Sequence, residues 1–148
     1  MTHHPSFSPS ARRFRSDRSG TSAVEFAILS PFFLLFIFGM IAYGIYFGAS
    51  HSVQQIAADA ARTAIAGLTE TERISLATQF VSHNAGTYPF VEPDKLVVDI
   101  HDSGTDENQF VVAVRYDAVN LPIWNLLPGL AMPAATISRQ STIRMGGL

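Results

Sequence analysis

Residues 20–49 read GTSAVEFAILSPFFLLFIFGMIAYGIYFGA, and this stretch decides the architecture. From Phe26 to Ala49 it holds 24 residues with no Asp, Glu, Lys or Arg. As a helix the run measures about 36 Å, enough to cross a hydrocarbon layer about 30 Å thick with modest tilt. A core helix this long with so little polar periodicity would be unusual in a small protein. Tyr43 and Tyr46 suit the far interface, where amphipathic rings collect. Pro31 removes one backbone donor, which membrane helices tolerate when neighbouring groups re-satisfy the backbone. Gly44 and Gly48 have GxxxG spacing, which lets helices approach closely but also arises by chance in apolar segments.

Upstream of the run lies a basic leader. Residues 1–20 carry Arg12, Arg13, Arg15 and Arg18 against one acid, Asp17. Positive charge stays on the cytoplasmic side, so the N-terminus is expected inside and the C-terminal portion across the membrane. The arginines read as a topology signal with attraction to anionic lipid, not as a nucleic-acid patch. The apolar region of a secretory signal is only about 7–15 residues, so a retained anchor is expected. The predicted divisions are a leader over 1–20, a transmembrane helix over 21–49 and an exported, periplasmic domain over 50–148.

The whole-chain numbers conceal this division. The 148 residues have a formal charge of −2, 15% charged residues and a mean hydropathy of +0.20. Yet residues 26–148 hold ten acids against six bases. The length allows one modest domain. With no Cys, disulfide frameworks, thiolate metal sites and Cys nucleophiles are excluded.

Glu25 stands at the edge of the apolar run. A carboxylate near hydrocarbon is costly unless it is paired or held at the interface. The simplest reading is an interfacial charge near the positive end of a helix dipole. The neighbouring string Arg18-Ser19-Gly20-Thr21-Ser22-Ala23-Val24-Glu25-Phe26 offers another. A cut after Gly20 would make Thr21 the N-terminus and Glu25 the fifth residue.

A basic leader, Gly, an acid at the fifth position and a long apolar helix resembles a type IV prepilin leader. The fuller stretch, with Ala23–Phe26, Pro31 and Phe38-Gly39, is similar to the start of the TadE-like family. The resemblance covers about residues 18–66 and extends weakly to the C-terminal strand pattern. That family comprises minor pilins (pseudopilins) of the tight-adherence, Flp-type IVb pilus of bacteria. The resemblance implies that Gly20 ends the leader, Thr21 begins the mature chain and Glu25 is the assembly acid. It implies a prepilin peptidase, other minor and major pilins, and pilus-assembly inner-membrane proteins as partners. It also implies a single-pass protein of the bacterial inner membrane, with entry into the pilus left open. Phe26 stands where the major Flp pilin has Tyr, and the chain is longer than a major pilin; both fit a minor pilin.

Beyond the anchor, residues 52–68 (SVQQIAADAARTAIAGL) repeat apolar residues at three- and four-residue steps, so the helix is expected to continue. Gly67 is a candidate stop. Thr69 followed by Glu72 is a capping-box pattern for a second helix over about 70–83, closed by Asn84-Ala85-Gly86. Lys95–His101 and Gln109–Ala118 are strand patterns, joined as a hairpin by the turn residues 102–108. Residues 120–133 are an apolar, Pro-containing loop. Within it Trp124, Leu126, Leu127 and Leu130 cap the core or form a contact surface. Ala134–Met145 alternates as a third strand. The predicted class is α+β: a long transmembrane helix continuing into an amphipathic one, packed on a small antiparallel sheet, pilin-like in outline.

No catalytic grouping emerges. G-x-S-x-G, P-loop, H-E-x-x-H and G-x-G-x-x-G are all absent from the sequence. Asp99, His101, Asp102, Asp106 and Glu107 crowd the hairpin turn without the ligand spacing of a calcium loop, and read as a solvated acidic turn. His51 and His83 read as helix-surface residues; His3 and His4 belong to the polar leader. No catalytic, cofactor or metal residue is therefore assigned. The competing function is an uncleaved, membrane-tethered adaptor that recruits an envelope partner through the 120–133 loop; a tethered hydrolase would need a nucleophile–base pair that is not evident.

Overall fold

The computed structural model describes residues 18–103, 109–124 and 131–144. Helix α1 runs from Arg18 to Ala64 and helix α2 from Glu70 to Asn84. Strands β1 (Leu96–Asp102), β2 (Gln109–Asp117) and β3 (Thr136–Arg144) form one antiparallel sheet in the order β1-β2-β3. The chain divides into two compact units after Phe38.

In the first unit α1 has no covered face. Val24, Phe26, Leu29, Phe32 and Phe33 are all exposed. In water such a surface would be strongly unfavourable; against acyl chains it matches its surroundings. The helix passes through Pro31 without a break. Proline supplies no N–H for the carbonyl four residues back, that of Ala27. The Ser30 hydroxyl donates to that same oxygen at 3.4 Å, a long bond at the site of the missing donor.

In the second unit the same helix becomes one-sided. Ala42, Ala49, Val53, Ile56, Ala57, Ala60, Ala61 and Ala64 are buried, at steps that keep them on one face. Alanines on that face let the backbone lie close to what it covers. β2 supplies the centre of the core: Phe110, Val112, Val114 and Tyr116 alternate inward and are almost fully buried. Register places Tyr116 between Leu96 and Ile137, and Phe110 between Asp102 and Ile143. β3 contributes only Ile137 as a fully buried residue. Arg139, opposite Val114, donates to the Ser50 hydroxyl of α1.

The element boundaries follow local chemistry. α1 stops at Ala64, and the turn after it carries bonds from Ile65 N to Arg62 O and from Gly67 N to Ala64 O. Gly67 lies three residues beyond the last helical residue, and its lack of a side chain matters for a different reason from helix capping. A Cβ there would lie 2.7 Å from the backbone nitrogen of Arg73. Thr69 caps α2, its hydroxyl accepting from Glu72 N at 3.2 Å. The Glu72 carboxylate reaches back one residue further than a capping box requires and accepts from Leu68 N at 2.9 Å. Of the apolar loop, Leu121 and Ile123 are buried and Trp124 is half-buried, donating Nε1–H to Ala118 O at 2.7 Å. Leu126, Leu127, Leu130, Asp106, Glu107 and Met145 lie outside the described residues.

Candidate functional site

The residues singled out at the start of α1 are all accessible. Gly20, Thr21 and Glu25 are exposed, and a Cβ built on Gly20 would meet nothing within 4 Å. Arg18 opens the helix; Arg12, Arg13 and Arg15, like His3 and His4, lie outside the described residues.

The two glycines further along differ. Gly44 has open space where a Cβ would stand. Gly48 is covered by the Phe90 ring, whose Cδ2 would be 2.8 Å from an added Cβ. Within this chain, then, Gly48 seats a ring of its own domain. Phe90 follows Pro89 and has φ of 61°, a left-handed conformation that costs a residue with a Cβ roughly 1–2 kcal/mol. On the turn of α1 before Gly48, Tyr43, Tyr46 and Phe47 pack on one another. The Phe47 ring is edge-on to Tyr46 at 6.1 Å and tilted against Tyr43 at 6.2 Å. The Tyr43 hydroxyl donates to Ala131 O at 2.7 Å, tying the helix to the segment before β3.

Two polar clusters brace the domain. Arg73, 8% exposed, donates through Nη2 to both carboxylate oxygens of Asp102 at 3.1 and 3.2 Å. Its guanidinium lies 5.3 Å from the Phe110 ring centre, within cation–π range. Asp102 is therefore an ion-pair partner and not part of a purely solvated turn. Arg73 also lines a cleft of about 240 Å³ with Ile65, Leu68, Phe110 and Ile143. In the second cluster Asp59 accepts from the Tyr88 hydroxyl at 2.8 Å and from Arg62 at 2.7 Å. Burial, reinforced by the bond to Asp59, pushes the Tyr88 phenol up to about 12. Burial likewise raises Tyr116.

Asp99 and His101 are 3.8 Å apart and exposed, and among the described residues no group of three acids or histidines is placed to hold a metal. His51 is exposed; His83 is exposed and lies 2.8 Å from Gln79 O. Arg73 was foreshadowed by its spacing, since it shares the inward face of α2 with Ala77 and Val81. Phe90 had only the preceding proline as a signal.

The fold and these residues define a class: a protein with, among the described residues, one helix long and apolar enough to cross a membrane, continuous with the main helix of a small α+β domain. The particular likeness is narrower. Residues 20–62 match the model of the TadE-like protein family. The likeness is confined to the anchor and the helix that follows, and what it points to is a structural, pilus-associated family. No curated protein and no solved structure matches the chain.

Proposed function

We propose that this protein is a membrane-anchored minor pilin, or pseudopilin, of a tight-adherence (Flp, type IVb) pilus. It is inserted in the bacterial inner membrane with Arg12, Arg13, Arg15 and Arg18 on the cytoplasmic side. Prepilin peptidase removes residues 1–20, leaving Thr21 as the new N-terminus. The α-amine of Thr21 then pairs with Glu25 of an adjacent subunit. A pair of opposite charges near hydrocarbon is far less costly than either alone, so pairing favours side-by-side insertion of helices. Gly44 is the open position of α1 for close approach by a neighbouring helix.

The observation that carries this reading is the TadE-like segment at 20–62, which begins at the proposed cleavage residue and contains Glu25. Intact-mass measurement of protein extracted from membranes, with and without a prepilin peptidase, tests it. Loss of residues 1–20 and a Thr21 N-terminus are expected. Gly20→Ala should block this loss without harming the helix, because the added methyl meets nothing within 4 Å. An unchanged mass in the presence of the peptidase would overturn the processing step and favour the uncleaved tethered adaptor.

A further inference from the structure

The apolar surface of α1 does not end where the domain begins. The helix first buries a residue at Ala42. The exposed part of the apolar run, in which only Ser30, Ile37 and Gly39 are half-buried, is therefore Phe26–Ile41, about 24 Å of helix, or about 6 Å short of a hydrocarbon layer about 30 Å thick. A short span is accommodated by thinning of the bilayer or by flanking residues that enter its boundary. Within the domain unit, Met40, Ile41 and Phe47 remain exposed on α1. Phe47 is 64% exposed and Phe90, seated on Gly48, is 51% exposed. The missing length ends near Ile45, and these two rings lie just past it, about 9–10 Å along the helix from Ile41, at the headgroup side of that boundary. The sequence has no Lys or Arg between Arg18 and Arg62. α1 itself therefore brings no long cationic side chain to the far boundary; Arg139 of β3 reaches Ser50 beyond it, and the exposed side chains nearer the span are apolar and aromatic. Phe90 also holds an unfavourable backbone conformation while its ring stays half outside the protein, so folding alone recovers little from placing it there.

We propose that Phe47 and Phe90, with Met40 and Ile41, form a lipid-seated collar. Its occupant is the acyl-chain and headgroup boundary of the leaflet that faces away from the cytoplasm. The exported domain then rests in the membrane surface and does not stand clear of it. The Tyr43 and Tyr46 rings lie on the same turns of the helix, and the bond from Tyr43 to Ala131 fixes the domain against this level. The proposal rests on the membrane-anchoring reading, and the test separates the two.

Full-length protein carrying Phe90→Trp in a Trp124→Phe background is reconstituted in phosphatidylcholine–phosphatidylglycerol vesicles. The vesicles carry lipids brominated either near the ester or near the methyl end of the acyl chain. Phe47→Trp in the same background is a second reporter should the first variant misfold. Leu34→Trp, on the span itself, is the control. The expected result is a blue shift and loss of most Phe90→Trp emission with the ester-end quencher, and a smaller loss with the methyl-end quencher. A quenched control with an unquenched Phe90→Trp and Phe47→Trp would overturn the collar and leave the anchor standing. Failure of all three would overturn the anchor as well. A blue-shifted Phe90→Trp that ignores brominated lipid but responds to dilution of protein in lipid would assign the rings to contact between copies, and overturn lipid as the occupant.

Discussion

Asp59 shows how one carboxylate ties distant parts of the domain. It accepts from Arg62 one turn along α1 and from Tyr88 beyond α2. Tyr88 titrates above its ordinary value of 10.0, near 12, so the folded state favours the neutral phenol. That contribution is complete below about pH 10 and is lost as the pH rises through about 12. Tyr88→Phe should therefore lower stability near neutrality by about 1 kcal/mol, the net worth of one hydrogen bond. It should also flatten the alkaline loss, with a residual slope from Tyr116, whose phenol burial raises in the same direction. Urea denaturation of both proteins at a series of pH values checks this, and parallel alkaline limbs would show that the Asp59 bond does not carry the dependence. Neither partner was legible as such. Asp59 reads as the polar side of a helix, and its partner lies 29 residues away. By contrast the inward set Phe110, Val112, Val114 and Tyr116 could be read directly, because strand alternation leaves little choice of face.

At the scale of elements, the turn between α1 and α2 is the place where sequence and structure differ most usefully. A glycine after an alanine-rich helix suggests a helix stop, but Gly67 is required by a neighbour's backbone. A side chain there would collide with Arg73 N at 2.7 Å, and backbone cannot swing aside as a side chain can. Gly67→Ala is expected to cost about 1–3 kcal/mol, the range for forcing atoms into filled space. Gly44→Ala, with nothing within 4 Å, should be neutral or slightly stabilising, because alanine favours helix more than glycine does. Chemical denaturation of the two variants in the same detergent compares them. Equal stabilities would mean that α2 shifts freely to make room. The Thr69 cap, in contrast, was visible from spacing alone, since a hydroxyl three residues before a first-turn acid has few other roles. The same holds for the three strands, whose limits moved by only one or two residues where the ends could be compared.

For the molecule as a whole, the governing feature is a division along α1 between an exposed apolar stretch and one packed on the domain. From Phe26 to Ile41 its surface is almost wholly apolar and exposed, and from Ala42 to Ala64 its buried apolar residues keep to one face. Glu25 precedes both, and no Asp, Glu, Lys or Arg follows until Asp59. On the proposed pairing with Thr21 of a neighbour, Glu25→Ala should leave membrane insertion intact and abolish or sharply reduce pilus assembly. Membrane fractionation and electron microscopy of the host read the two effects separately. Normal piliation in the variant would reject the pairing while leaving the anchor untouched.

The sequence by itself determined what depends on local order. An uncharged run marks a helix long and apolar enough to cross a membrane, alternation fixes strands and their inward faces, and the stretch from Gly20 through Glu25 into that run carries the TadE-like likeness. Only the tertiary structure decided what depends on residues far apart in the chain. It set Phe90 on Gly48, closed Arg73 onto Asp102 and linked Tyr88 to Asp59. It also ended the uncovered part of the apolar helix at Ile41, well before the last uncharged residue, because the domain folds back over Ala42 and Ala49. Hydropathy records how apolar each residue is; which apolar surface meets protein and which is left for lipid is a property of the packing.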